Sequence, residues 1–488
     1  MTDTIVVMSM GKKTGEQETM FVTHQELRMA TGHPFYEALE VVLREANFDR
    51  YVEELCQAFY ASKTGRPSLA PGVYFRCLLV GFFEGIDSER GIAWRTADSL
   101  SLRQFLGLGL GKNPPEHSTL SRTRRLIDKE THQLVFTFIL KVAAEHGLVE
   151  GKSIGVDATT LEANAALRSL VRREDGQGYT EYLTDLAKAS GIETPSREDL
   201  SKLDRKRAKK GSNKEWVNPH EPDAHITKMK TGGTRLAHKH EHAVDMETGA
   251  IVGLSLSGGT DGDTKTVNKT TSDAEVNLEQ VRDEADDETV KRMAEHIEEL
   301  TGDKGYHSND VLLGFENTGV RSYISEPKRK CRRWKGKTAE RDAVYRNRRR
   351  VEGSKGKALL RRRGELLERA MAHLFDSGGM RRTHLRRHDN IIKRLLIHAA
   401  GFNLSLVMRA RFGVGKPRAL QGRPKLTEAL RAALRRVLDS YSSLCARLSA
   451  MFWPSRAHRE PMTEILIMSA QRARPAPITK TGAFTTAC

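Results

Sequence analysis

Ser153-Ile154-Gly155-Val156-Asp157 is a short apolar run closing on an acid, the pattern of a buried strand that delivers Asp157 to a sheet edge. Two further acids stand in segments of complementary type. Asp303 lies in the turn Gly302-Asp303-Lys304-Gly305-Tyr306-His307, just after another short strand, and Glu368 lies in 364–373, which reads as helix. A strand-end Asp, a second Asp after a later strand and a Glu on a following helix can converge at the edge of one mixed sheet. Without a counter-charge, three such carboxylates would repel and raise one another's pKa values, so their meeting implies a cation site. Two divalent ions held roughly 3.5–4 Å apart need hard oxygen donors from several directions, which suits phosphoryl transfer.

The remaining composition agrees with a polyanionic partner. The chain has 488 residues, enough for two or three domains, with 80 Lys and Arg against 63 Asp and Glu, a formal charge of +17. Nucleic acid is the first candidate for such a surface, ahead of a merely soluble or ribosome-associated basic protein. Five scattered cysteines without a Cys-x-x-Cys support neither a zinc ribbon nor a disulfide framework, and a reducing cytoplasm is expected. No apolar signal core opens the sequence. The stretch Ile391 to Met408 is broken by Lys393, Arg394, His398 and Asn403, and so reads as a buried helix rather than a membrane span.

Outward from the central strand, residues 1–150 read as helical. Tyr74, Cys77, Leu78, Leu79, Phe82 and Phe83 recur at helical spacing, and Pro71 suits a first turn. After the turn 113–117, Ser118-Thr119-Leu120-Ser121-Arg122-Thr123-Arg124-Arg125 reads as a helix capped by a hydroxyl residue. Its first turns carry His117, Ser118, Thr119, Arg122, Arg124 and Arg125 as candidate DNA contacts in a helix-turn-helix. From Lys152 the pattern turns to strands. Residues 236–245 and 250–256 form a hairpin, 264–285 and 288–299 look helical, 300–303 is a strand end, 308–315 a helix and 320–325 a strand.

Two basic insertions interrupt this order, at about 168–234 and 328–363. The second carries Arg348, Arg349, Arg350, Arg361, Arg362 and Arg363 and leads into the Glu368 helix, which favours phosphate tracking over a solvated loop. The part from 405 to 488 is a basic tail with one helical stretch, Leu426 to Leu448. Lesser signals have plainer readings. His238, His240 and His242 share a strand face and could bind a transition metal, but are expected to form the polar side of an alternating strand. Gly107 to Lys112 matches neither a Walker loop nor a dinucleotide fingerprint. Trp216 or Trp334 could stack on an unpaired base, worth about 1–3 kcal/mol, or belong to an insertion core.

Gly155-Val156-Asp157-Ala158-Thr159, Gly302-Asp303-Lys304-Gly305-Tyr306-His307-Ser308 and Leu367-Glu368-Arg369-Ala370-Met371-Ala372-His373 resemble the three acidic motifs of DDE transposases of bacterial insertion sequences. The likeness continues through 378–386, 390–398 and 402–404, and Glu116-His117-Ser118-Thr119-Leu120-Ser121-Arg122 resembles that group's DNA-binding region. It spans roughly residues 34–425. The resemblance implies an α/β fold: a ribonuclease H-like mixed sheet flanked by helices over 151–404, behind an all-α end-recognition domain over 1–150. It implies Asp157, Asp303 and Glu368 as catalytic metal ligands for two Mg2+ ions, with Mn2+ as a substitute. Lys304, Tyr306, His307 and Arg369 would be near-site phosphate contacts. Partners would be double-stranded DNA, as terminal inverted repeats and target, and a second copy of the chain in a homodimer or larger synaptic assembly. No membrane partner is expected, and the expected location is the cytoplasm, at the nucleoid.

One departure leaves the third acid open. Related enzymes often place Tyr and Arg before the catalytic Glu and Lys seven positions after it, whereas position 375 is Phe. Tyr345-x-x-Arg348-x-x-x-Glu352 has the upstream spacing, but position 359 is Leu. Glu368 is preferred to Glu352, and Glu365 is third. Two other functions fit the same residues: a DNA-binding derivative without turnover, and a metal nuclease that cuts without joining.

Overall fold

The computed structural model describes residues 32–60, 68–109, 111–207, 211–229, 232–285, 287–328 and 332–420. Seven helices come first: α1 (Pro34–Glu45), α2 (Phe48–Cys56), α3 (Pro71–Glu84), α4 (Glu89–Asp98), α5 (Leu100–Phe105), α6 (His117–Leu126) and α7 (Lys129–Glu145). Their ends follow local chemistry. Pro34 and Pro71 occupy first turns, where a missing N–H costs nothing. Ser88, Ser99 and Asp128 each accept a backbone N–H three residues on. Helix α3 stops at Gly85, whose φ of 69° is left-handed and suits a residue without Cβ. Its residues from Tyr74 to Phe83 are all buried, so the expected apolar face is in fact the whole helix. The cap of α6 is Glu116 rather than a hydroxyl residue, and Ser118 and Thr119 lie inside the first turn.

The sheet is mixed. Its strands are β1 (Ser153–Glu162), β4 (His225–Lys228), β5 (Thr234–Asp245), β6 (Ile251–Gly258), β7 (Glu299–Gly302) and β8 (Arg321–Ile324), while β2 (Val171–Arg172) and β3 (Trp216–Val217) form a separate ribbon. β4 and β6 both pair with β5, β5 lies antiparallel to β1, and β7 and β8 follow in parallel. The expected hairpin is therefore β5 and β6.

Helix α10 (Asp263–Glu284) and helix α13 (Ser354–Met371) cover opposite faces. An added Cβ on Gly253 would meet Ala274 of α10 at 2.9 Å, and one on Gly155 would meet Leu367 of α13 at 2.8 Å and Met246 Sδ at 2.6 Å. Gly155 pairs with Val244 and Gly253 with the next residue, Ala243, so the two glycines point to different faces. Gly155→Val should drive α13 off β1 and cost about 1–3 kcal/mol by overpacking, read as a lower denaturation midpoint. An unchanged midpoint would show that the helix shifts freely.

Helix α14 (His388–Phe412) joins the helical and sheet regions, packing on α3, α7 and β6. It is long and apolar enough to cross a membrane, but 89% of that window is buried inside the fold. The polar residues that break its apolar run each meet a buried backbone group. Lys393 donates to Ile127 O at 2.8 Å, Arg394 to Ile86 O at 2.9 Å, and His398 meets Gly378 O at 3.0 Å. Asn403 accepts from Ile251 N–H at 2.9 Å and donates to Ile251 O at 2.8 Å, sealing the free edge of β6. One hydrophobic core runs from Phe35 to Met408.

Several expectations are corrected. Residues 288–299 hold one 3-10 turn (Val290–Arg292) rather than a helix. The chain there is drawn out by bonds from Ala294 N–H to Glu150 O and from Glu298 N–H to Lys152 O, so tertiary pairing overrides propensity. The basic stretch 328–363 contains helix α12 (Thr338–Glu352) and the first turns of α13, because Ala343, Val344, Asn347, Gly356 and Leu359 supply buried positions. Between β3-paired segments lie α8 (Tyr179–Ala189) and α9 (Arg197–Lys206), and a helix α11 (Asn309–Asn317) precedes β8. The insertion after β1 has its own small core of Ala163, Leu170, Trp216, Ala224 and Leu236. Trp216 is buried there against Tyr179 and Tyr182, so it cannot stack on a base. The stretch 426–448 lies outside the described residues.

Candidate active site

Strand β7 ends at Gly302, one residue after Thr301 pairs with Gly155, so Asp303 leaves the sheet opposite the continuation of β1 through Asp157. Asp303 Oδ1 accepts the Gly305 N–H at 2.7 Å, which caps the turn Lys304–Tyr306 and fixes its carboxylate. A side chain at 305 would crowd two carboxylates. An added Cβ would collide with Asp263 Oδ2 and come within 3.0 Å of Asp303 Oδ1, so Asp263 at the start of α10 flanks the same point. Asp263 was not singled out from sequence. The available signal was an acid in the first turn of the helix that follows the hairpin, in Gly258-Gly259-Thr260-Asp261-Gly262-Asp263.

A polar network backs this edge. Lys239 Nζ lies 2.7 Å from Asp263 and 3.7 Å from Glu241. Glu241 accepts from Thr270 at 2.5 Å, Thr266 at 2.8 Å and Tyr306 Oη at 3.0 Å. Burial raises the Glu241 pKa, and the hydroxyl donors and Lys239 pull it back. The Tyr306 phenol is pushed far above its ordinary value, first by burial and then by Glu241, Asp263 and Asp157. Tyr306 therefore stays a neutral donor among three carboxylates.

Asp157 is a quarter exposed and pairs with Arg363 of α13 at 3.1 Å, while its Oδ1 accepts the Ala158 N–H at 2.9 Å. Arg363, Leu367 and Ala370 form the line of α13 that faces the sheet, with Leu367 and Ala370 buried. Glu368 is one residue past Leu367, about 100° round the helix, and exposed. The structure thus sets Asp303 and Asp263 on either side of Gly305, carries Asp157 on the neighbouring strand β1, and puts Arg363, not Glu368, opposite Asp157. Glu352 ends α12 and is exposed, as is Glu365, which pairs with Arg369 at 2.7 Å. Among the described residues, no group of three or more His, Cys, Asp or Glu is disposed to hold a metal ion. Asp263 and Asp303, flanking Gly305, offer the oxygen donors that hard cations take.

The phosphate-contact candidates separate by burial. Lys304 is exposed beside Asp303, and Arg369 is exposed on the outer side of α13. Tyr306 and His307 are buried, so neither can touch a phosphate at the surface. In α6, His117, Arg122 and Arg125 are not buried, with Arg122 donating to Thr119 Oγ1 at 3.3 Å. Arg124 turns inward, pairs with Glu89 and donates to Asn390 at 3.3 Å, so it ties α6 to α4 and α14 instead of facing a groove. Of the second basic run, Arg348 pairs with Glu326 at 2.8 Å and Arg362 with Glu247 at 3.1 Å. Arg350 donates to Ser322 O at 2.9 Å. Arg349 and Arg361 are exposed.

The histidines of β5 are not a solvated polar face. His238, His240 and His242 are fully buried under α13, the turn after it and the start of α14. Burial lowers His132, His238 and His242 to about 3 and His373 to about 4, and puts His240 and His398 well below the ordinary value. Each folded-state pKa is depressed, so an unfolded chain binds roughly one more proton per ring near pH 5. Stability from these rings is complete above about pH 6.5 and is lost as pH falls from there. Glu221 and Glu241, raised by burial, oppose this trend at lower pH in smaller number. The urea midpoint should fall steadily from pH 7 to pH 5, and a flat profile would contradict neutral buried rings.

Residues 25–126, which include α1 to α6, match the family model described as Transposase domain (DUF772). No curated protein and no solved structure matches the chain. The match covers the helical region only and supports a transposase.

Proposed function

We propose that the protein is a DDE-type DNA transposase, with a ribonuclease H-like catalytic region that cuts element ends and joins them to a target. The observation that supports this reading is the parallel β1–β7 register, whose continuation carries Asp303 toward Asp157 in a six-stranded sheet with three antiparallel and two parallel pairings. The transposase match over 25–126 adds independent support.

In this reading Asp157 and Asp303 would hold Mg2+, Asp263 would lie close by, and Glu368 would become the third donor only by a rotation of α13 that brings its exposed side toward the sheet. When bound, the ions would activate water or a 3′-hydroxyl and stabilise the leaving oxygen. The chain's own residues prepare that chemistry. The Gly305 N–H and the Ala158 N–H orient the two Asp carboxylates, and Arg363 balances the charge of Asp157. Lys304, exposed beside Asp303, would meet a phosphate oxygen. Two DNA ends would be brought together by two copies of the chain.

A second reading has a specific observation behind it. Arg363 faces Asp157 where a third ligand is needed, which favours a DNA-binding derivative without turnover. A supercoiled plasmid carrying the inverted repeats that flank the gene separates the two. Nicking with Mg2+ that stops with EDTA supports the enzyme. Specific end binding without nicking, in Mg2+ or Mn2+, supports the derivative.

A further inference from the structure

Several of the arginines most conspicuous in the sequence are held in internal ion pairs, whereas four others line an open cleft with a single acid that only two of them hold. Arg168 follows β1, Arg235 opens β5, and Arg382 and Arg386 lie between α13 and α14; together they line a cleft of about 690 Å³. Glu162 is the one carboxylate among the lining residues, and Arg235 at 2.7 Å and Arg382 at 3.7 Å already hold it. All four arginines are exposed.

The frame of the cleft is stiff. Glu162 N–H donates to Arg381 O at 3.3 Å, and Thr383 N–H donates to Glu162 O at 3.0 Å, so Arg382 is held against the end of β1 by main-chain pairing. Asn164 donates to His384 O at 2.8 Å, and Arg386 Nε donates to Asn164 O at 3.2 Å. Gly232 and Gly233, with φ of 91° and 76°, form a rim without side chains that lets a ligand approach the backbone.

We infer that this cleft binds the sugar–phosphate backbone of DNA about five nucleotides from the cut phosphate. Planar guanidinium groups spread over three chain segments suit successive phosphates better than one compact anion. The spacing follows from the strand: Glu162 is five residues beyond Asp157, about 17 Å at ~3.3 Å per residue, or about five steps at ~3.4 Å per nucleotide. The inference rests on the transposase reading for the position of the cut, but not for DNA binding itself.

The test uses the full chain and a 40-base-pair duplex followed by fluorescence anisotropy at several salt concentrations. The double variant Arg382→Ala/Arg386→Ala should flatten the plot of log K against log salt by about 2, because each phosphate contact contributes ~0.9. Lysine at both positions should restore most of the slope. Arg168→Glu, an exposed turn position, should weaken binding in the same direction and serves if the double variant melts early. On duplexes extended stepwise beyond the cut, the wild type should gain nicking once the extension passes about five base pairs, and the double variant should not. Unchanged slope and affinity in folded variants would overturn the cleft and leave the transposase reading standing. A wild type that binds no DNA would overturn both.

Discussion

Asp157→Asn is expected to lower Mg2+-dependent nicking at least ~10³-fold, about 4 kcal/mol of transition-state stabilisation, while end binding stays within about threefold. The substitution keeps the shape and the Oδ1 that accepts the Ala158 N–H, and removes the charge together with the ion pair to Arg363. Asp303→Asn should do the same, because its remaining oxygen can still cap the turn through the Gly305 N–H. Asp157 within β1 and Asp303 just past the end of β7 belong to neighbouring parallel strands and would serve one site, so their losses should not add in the double variant. Glu368→Gln should abolish nicking and Glu352→Gln should spare it. The reverse pattern would move the third ligand from α13 to the end of α12. Full activity in Asp157→Asn would remove the basis for metal-assisted chemistry at this edge.

Asn403→Leu is expected to destabilise the fold by about 2–5 kcal/mol. It would strand both the N–H and the C=O of Ile251 in the core, and each unmade buried hydrogen bond costs about 1–3 kcal/mol. Leucine nearly matches asparagine in size, so the loss would come from unpaired backbone rather than from a cavity. Equilibrium urea unfolding reads the effect directly. A change below about 0.5 kcal/mol would mean that β6 finds another partner for its edge. The larger outcome would extend to function, since β6 positions β5, and β5 pairs with β1 along the length that carries Asp157.

Legibility varied with how local the deciding force was. The hairpin of β5 and β6 was readable because its alternation and its turn at 246–249 are local. Helix α14 was readable as buried despite its charges, and the structure supplies the reason: each polar side chain meets a backbone group that the core leaves open. The failures involved distant partners. Arg124 looks like a groove-facing cation until Glu89 and Asn390 appear beside it. His238, His240 and His242 alternate like a solvated face, but a helix layer covers them. Asp263 carried no motif, and only the close approach at Gly305 links it to Asp303.

That β1 runs on past Asp157 to Glu162 follows from its pairing with β5, whereas the apolar runs leading into Asp157 and Asp303 were set by the amino-acid sequence alone, because apolar period and turn residues act over a few positions. The same holds for the excess positive charge. Tertiary structure alone decided which cations remain open to a polyanion and which are spent inside the molecule. It also decided that Arg363, rather than Glu368, faces Asp157. Those outcomes depend on the rotation of α13 against the sheet, which is governed by Leu367 seating on Gly155 and is invisible to any local window of residues.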